Sequence, residues 1–166
     1  MTCPDCKAAE MVESRENIRY EECGLPYVTL RNIMIERCPE CGNKLVTIPK
    51  VAELHRVLAL TMIRKPDRLD SLEITFLRKL LGWSKTDFAR KVHVHPSQVS
   101  RWESTTSHTP MGEANDLLLR TLVAMNQDIR DNMEEMDKID LGQQPHVHRR
   151  LSIEMVDRKW LMKEAA

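Results

Sequence analysis

Long apolar stretches are missing from this 166-residue chain. No run approaches the roughly 18–20 residues that a membrane-crossing helix needs, so a membrane span is not expected. A charged-then-apolar leader is missing too, which makes the cytoplasm the expected location. An excess of either charge is also absent, with 25 basic residues against 25 acidic ones. No nucleophile stands in a recognisable pattern with a base, and no metal-ligand set leaves an open position. The sequence therefore predicts a binding protein with no catalytic residues, not an enzyme. Cysteine is limited to five residues, an odd number, and no feature points to an oxidising compartment, so a disulfide framework is not expected.

Four of those cysteines form two knuckles, Cys3-Pro4-Asp5-Cys6 and Cys38-Pro39-Glu40-Cys41-Gly42, with 31 residues between the inner pair. Each knuckle can direct two thiolates at one ion, and together they supply the tetrahedral four-sulfur shell preferred by structural Zn²⁺. Four thiolates also hold iron, which would make the segment a redox carrier. No flavin or haem motif accompanies it. The fifth cysteine, Cys23, lies in Glu22-Cys23-Gly24-Leu25-Pro26, a turn between the β-favouring runs Ile18-Arg19-Tyr20 and Tyr27-Val28-Thr29-Leu30. With Asn32 to Arg37 leading into the second knuckle and Leu45 to Ile48 as a further strand, residues 1–50 read as a small β zinc ribbon. So small a domain has little core, and bound metal would contribute folding free energy directly.

The balanced total charge conceals segregation. Residues 65–110 carry 8 basic and 5 acidic side chains, whereas 111–144 carry 3 and 8. Within the basic block, Ser84 can cap a helix whose Phe88, Ala89 and Val92 share one face. His93-Val94-His95-Pro96 breaks that helix, and Pro96 suits the first turn of a second one. On the second helix Val99 and Trp102 point inward, while Ser97 and Arg101 share the outward face. The pattern is a helix-turn-helix. Candidate DNA contacts are Lys85, Ser97, Gln98, Ser100 and Arg101, with Arg101 able to make a bidentate contact to guanine.

These residues resemble the Cro/CI-type DNA-binding family, although Ser104 and Thr105 stand where that family usually has glycine after the glutamate. Taken with the thiolate ribbon ahead of it, the order of motifs over about residues 1–125 is similar to that of the MqsA family, a YgiT-type zinc finger followed by a Cro/CI-type helix-turn-helix. The resemblance implies an antitoxin: a repressor that binds a palindromic operator in its own promoter as a homodimer and autoregulates its operon, with the ribbon as a possible toxin-binding module. The position at which the best-known members carry an asparagine on the recognition helix is Ser97 here.

The remaining segments are helical by period. Val51, Leu54, Val57, Leu58, Leu60 and Ile63 mark a connecting helix over 51–66, and Ile74, Leu77 and Leu81 a helix capped by Asp70 or Ser71 and ended by Gly82. Leu117, Leu118, Leu122 and Met125 are expected to close the core, and Ile129, Met133 and Met136 to continue into an acidic helix ending near Leu141-Gly142 that suits dimerisation. His93/His95 and His146/His148 read as surface residues. The tail 145–166 alternates as a strand through Met155, whereas Trp160 and Leu161 could belong to a helix. As a hypothesis, the strand pairs across a dimer or back onto the ribbon. The fold class is therefore α+β: a zinc ribbon (1–50), a connecting helix (51–66), a helix-turn-helix DNA-binding and dimerisation domain (67–144) and a tail (145–166). An alternative reading keeps the same fold but makes the chain a protein-binding adaptor with the helix-turn-helix as scaffold.

Overall fold

A computed structural model describes residues 1–107, 109–127 and 150–163. The elements follow as β1 (Val12–Arg19), β2 (Val28–Arg37), β3 (Lys44–Val46), α1 (Val51–Arg64), α2 (Ser71–Leu80), α3 (Lys85–Lys91), α4 (Pro96–Trp102), α5 (Glu113–Asn126), β4 (Leu151–Val156) and β5 (Lys159–Lys163). The fold is α+β. Two compact units emerge. One contains Met1–Glu21, Pro26–Leu54 and residues 150–163, and the other contains Glu22–Leu25 and the described residues from 55 to 127.

The first unit is a mixed sheet in the order β1-β2-β4-β5, with β3 also paired to β2. β1 and β2 are antiparallel, and β3 runs antiparallel to the far half of β2 through Ile35↔Val46. β4 lies parallel to the near half, Val28↔Leu151 to Arg31↔Glu154, and β5 returns along β4. The inward residues Val28, Leu30, Ile33 and Ile35 would lose phase between Leu30 and Ile33 in a regular strand. A bulge corrects this. Asn32 takes a left-handed φ of 58°, its N–H donates to Asn17 Oδ1 at 3.1 Å, and the register shifts between Glu16 and Ile18.

Two strand expectations change. β1 begins at Val12, well before the run at Ile18, because its polar alternation suits an edge strand whose outer residues face water. Glu16 there accepts two bonds from Arg37, at 3.1 and 2.9 Å. In the tail, Trp160 belongs to β5 and not to a helix. Asp157 and Arg158, at φ 48° and 63°, make a two-residue hairpin turn without glycine. Trp160 is 2% exposed, its indole N–H donates to the Pro49 carbonyl at 3.0 Å, and its backbone N–H donates to Glu53 at 3.3 Å. The tail thus pairs with β2 of its own chain.

In the second unit, α2 starts at Asp70 through a capping box with Glu73. It ends in a Schellman turn: Gly82 N–H donates to Lys79 O at 2.9 Å, and Trp83 N–H to Arg78 O at 3.3 Å. The face by which α5 meets the core corrects the sequence expectation. Leu117, Leu118 and Met125 are exposed, and the buried residues are Asp116, Leu119, Arg120, Val123 and Ala124. A pair of charges takes the core positions that a hydrophobic pattern would have assigned to leucine. Arg120 bonds Asp116 at 2.6 Å and donates to the carbonyls of Ile63, Lys65 and Asp67 at 3.2, 2.6 and 2.7 Å. Asp116 in turn accepts from Leu69 N–H at 2.8 Å. Arg120 therefore closes the C-terminal end of α1, satisfying carbonyls that the helix leaves open. The expected acidic helix with Ile129, Met133 and Met136, and the pair His146/His148, lie outside the described residues.

Candidate functional site

The two cysteine knuckles are built alike. Lys7 N–H donates to the Cys3 carbonyl at 3.1 Å and Gly42 N–H to the Cys38 carbonyl at 3.0 Å. Lys7 and Gly42 take left-handed φ values of 55° and 73°, turning the chain sharply just after each second cysteine. Met11, Ala9 and Leu45 pack against Cys3 and Cys38. The four sulfurs lie within 4.8 Å of one another, with Cys3 to Cys41 at 3.6 Å and Cys6 to Cys38 at 3.5 Å. A tetrahedral ion with bonds of ~2.3 Å to sulfur spaces its ligands by about 3.8 Å. The residues therefore fit a four-thiolate metal, and the shell is complete without a water ligand.

The thiols are already polarised. The backbone N–H of Cys6, ahead of other contacts, draws the Cys3 thiol down from 9.0 to about 6. Around Cys41, the N–H of Asn43 pulls the same way but is outweighed by the neighbouring sulfurs and burial, which push that thiol up to about 12. A cation bound among them removes this competition by favouring all four thiolates. Cys23 is not part of the group. Burial raises its thiol and leaves it less reactive.

In the second unit, α3 is closed by a capping box in which Ser84 Oγ accepts from Asp87 N–H at 3.0 Å and Asp87 Oδ2 accepts from Ser84 N–H at 3.0 Å. The bonds from Ser84 hold the Asp87 carboxyl below its usual value. Phe88 and Ala89 are buried beneath it. His93 turns the corner at φ 57°, and Val94 N–H reaches back to the Ala89 carbonyl at 2.9 Å. Pro96 is the first residue of α4, whose Val99 and Trp102 are buried. Trp83 stacks on Phe88 at 6.3 Å, and Phe88 meets Trp102 edge-on at 6.2 Å, so aromatic packing fixes α4 against α3.

A buried ion pair completes the support. Arg78 of α2 grips Glu103 with two nitrogens, one at 2.9 Å, and gives its third to the Trp83 carbonyl at 2.6 Å. Charges this deeply buried persist only when paired and fully bonded. Beyond Glu103 the chain turns without glycine. Ser104 Oγ accepts from the N–H groups of Thr106 and Ser107 at 3.3 and 3.2 Å, and Ser107 Oγ donates to the Arg101 carbonyl at 2.7 Å.

On this frame Ser97, Gln98, Ser100 and Arg101 are all exposed on α4. Among the described residues, the side chains of Gln98, Ser100 and Arg101 make no hydrogen bond or ion pair. Ser97 is different, because its hydroxyl and its backbone N–H both meet His95. Lys85 stands at the start of α3, half exposed, its ammonium 3.8 Å from Glu103 in a long ion pair. Arg90 and Lys91 are exposed at the other end of that helix, with Lys91 5.7 Å from the Trp83 ring centre.

Sequence reasoning missed Arg78, Arg120 and the role of His95. Arg78 pairs with Glu103 across 25 residues and Arg120 with Asp116 across 4, and both pairs are buried, which no local pattern signals. His95 was findable, since a proline at the first helical position makes the preceding residue the cap.

Residues 74–114 match a helix-turn-helix family model, a span that runs from within α2 to the start of α5. The match supports a DNA-binding transcription regulator. No curated protein and no solved structure matches the chain. Among the described residues no helix is long and apolar enough to cross a membrane.

Proposed function

We propose that this protein is a sequence-specific transcriptional repressor of the antitoxin type, which binds double-stranded DNA at its own promoter and carries a structural Zn²⁺ on Cys3, Cys6, Cys38 and Cys41. The observation that carries the DNA reading is the outward row of Gln98, Ser100 and Arg101 on a helix anchored by Val99, Trp102 and the Arg78–Glu103 pair. An α-helix fits the B-DNA major groove, and the Arg101 guanidinium can bond guanine O6 and N7 together. Ser97 adds a hydroxyl at the start of that row, and Lys85, Arg90 and Lys91 are placed to neutralise phosphates.

The chain acts by binding and not by catalysis, in the cytoplasm. It works as a homodimer on a palindrome with half-sites about 34 Å apart. What supports the dimer is the exposed apolar stripe of Leu117, Leu118 and Met125 on α5, at 42%, 38% and 66% exposure, which a second copy of the chain would cover. The toxin-binding role of the four-cysteine unit rests on the order of the two motifs in the chain.

The test is binding, at one fixed salt concentration, to the DNA immediately upstream of the protein's own gene, comparing wild type with Arg101→Ala. The expected result is a preference for that fragment over unrelated DNA in the wild type, and only salt-sensitive background affinity in the variant. Equal affinity for both DNAs in the wild type would replace the repressor with the adaptor reading.

A further inference from the structure

His95 is the N-cap of α4, and its ring nitrogen Nδ1 accepts the backbone N–H of Ser97 at 3.2 Å. A backbone amide can only donate, so Nδ1 is the unprotonated nitrogen and the ring proton sits on Nε2. The Ser97 hydroxyl lies 2.8 Å from the same Nδ1. Facing a nitrogen without a proton, that hydroxyl must also donate. Its single hydrogen is thereby directed at His95, and what Ser97 Oγ offers outward is lone pairs alone.

From this geometry we infer that His95 sets the base preference at Ser97 by turning an ambivalent hydroxyl into an acceptor. A free serine can donate to guanine or thymine and accept from adenine or cytosine, and it discriminates poorly. A serine whose proton is held by His95 selects a base with an exocyclic amino group in the major groove, adenine N6 or cytosine N4. Against guanine O6 or thymine O4 it sets acceptor against acceptor. Ser97 is thus a specificity residue, and His95 is the positioning residue that acts through it. The inference rests on the reading of α4 as the helix that enters the groove.

Selection of bound sites from a random duplex library, followed by affinities for single-base-pair variants, tests it with the full-length protein. The wild type is expected to show one position, lost in Ser97→Ala, at which adenine or cytosine is favoured by about fivefold to tenfold, the size of one hydrogen bond gained or left unmade. His95→Ala frees the hydroxyl and should flatten that position while the Arg101-dependent guanine remains. His95→Asn, whose side-chain oxygen can accept both bonds as an N-cap, should restore it. A purely structural role for His95 would instead weaken every position alike. A Ser97-dependent position that favours guanine or thymine, an unchanged preference in His95→Ala, or no position that depends on Ser97 would each overturn the inference while leaving Arg101 readout standing. Loss of all sequence preference in the wild type would overturn the DNA reading itself, and this inference with it.

Discussion

Arg120 has no exposed surface, yet each of its bonds runs to an atom that would otherwise be stranded: a carboxylate oxygen of Asp116 and three carbonyls at and beyond the end of α1. A truncation here leaves the Asp116 charge buried without its counter-ion as well as opening the helix end. Arg120→Ala is expected to cost about 3–5 kcal/mol, read as a lower urea midpoint. Adding Asp116→Ala should recover part of that loss, because the uncompensated charge is removed with its partner. Lys65 belongs to the same kind of chemistry, buried between Asp67 at 3.1 Å and Glu73 at 2.7 Å. Burial still raises the Glu73 carboxyl, the nearby ammonium offsetting only part of the desolvation. The apolar period of α5 misassigned its inner face for this reason: the period counts leucines, and the core here accepts an arginine that is fully bonded.

Among the elements, the helices were legible and the strands less so. Ser84, Asp70, Gly82 and Pro96 signal helix ends by local chemistry, and each occupies its expected boundary. The β4–β5 hairpin carries no such signal. Asp157 and Arg158 both hold positive φ where Asn-Gly would be usual, so neither the turn nor the strand beyond it could be read. Arg158→Gly should relieve that strain, against which the added freedom of the unfolded glycine counts. The expected net effect is a stabilisation of under about 1 kcal/mol, measured as a small rise in the thermal midpoint of the sheet unit. A clear fall in the midpoint would mean that the Arg158 side chain contributes more than its backbone costs. At β2, the Asn32 bulge shifts the apolar period midway, so that one strand reads in the sequence as two runs, 27–30 and 32–37.

Across the whole molecule, the two units draw on the chain differently. The sheet unit gathers three separate segments, including residues 150–163, whereas the helix-turn-helix lies within one continuous stretch of the other unit. The sheet unit's small core, Leu30, Ile35, Ile153 and Trp160 among it, is supplemented by the four-cysteine centre. Cys38→Ser, or removal of the ion with a chelator, should therefore expose the amides of β1, β2 and β4 to hydrogen exchange while those of α3 and α4 stay protected. Equal loss of protection in both would show that the units do not fold independently.

By itself the sequence determined what depends on neighbours in the chain: the knuckle spacing, the helix caps, the proline corner and the alternation that places Val99 and Trp102 inward and Arg101 outward. These follow from covalent geometry and short-range hydrogen bonding, which a few residues are enough to specify. Only the tertiary structure decided which face of α5 is buried, that the tail pairs with β2, and that His95 Nδ1 meets Ser97. The first two depend on partners distant in the chain, Ile63 with Arg120 and Tyr27 with Leu151. The last depends on the rotamer of an exposed side chain, which two-residue proximity permits but the sequence alone does not select.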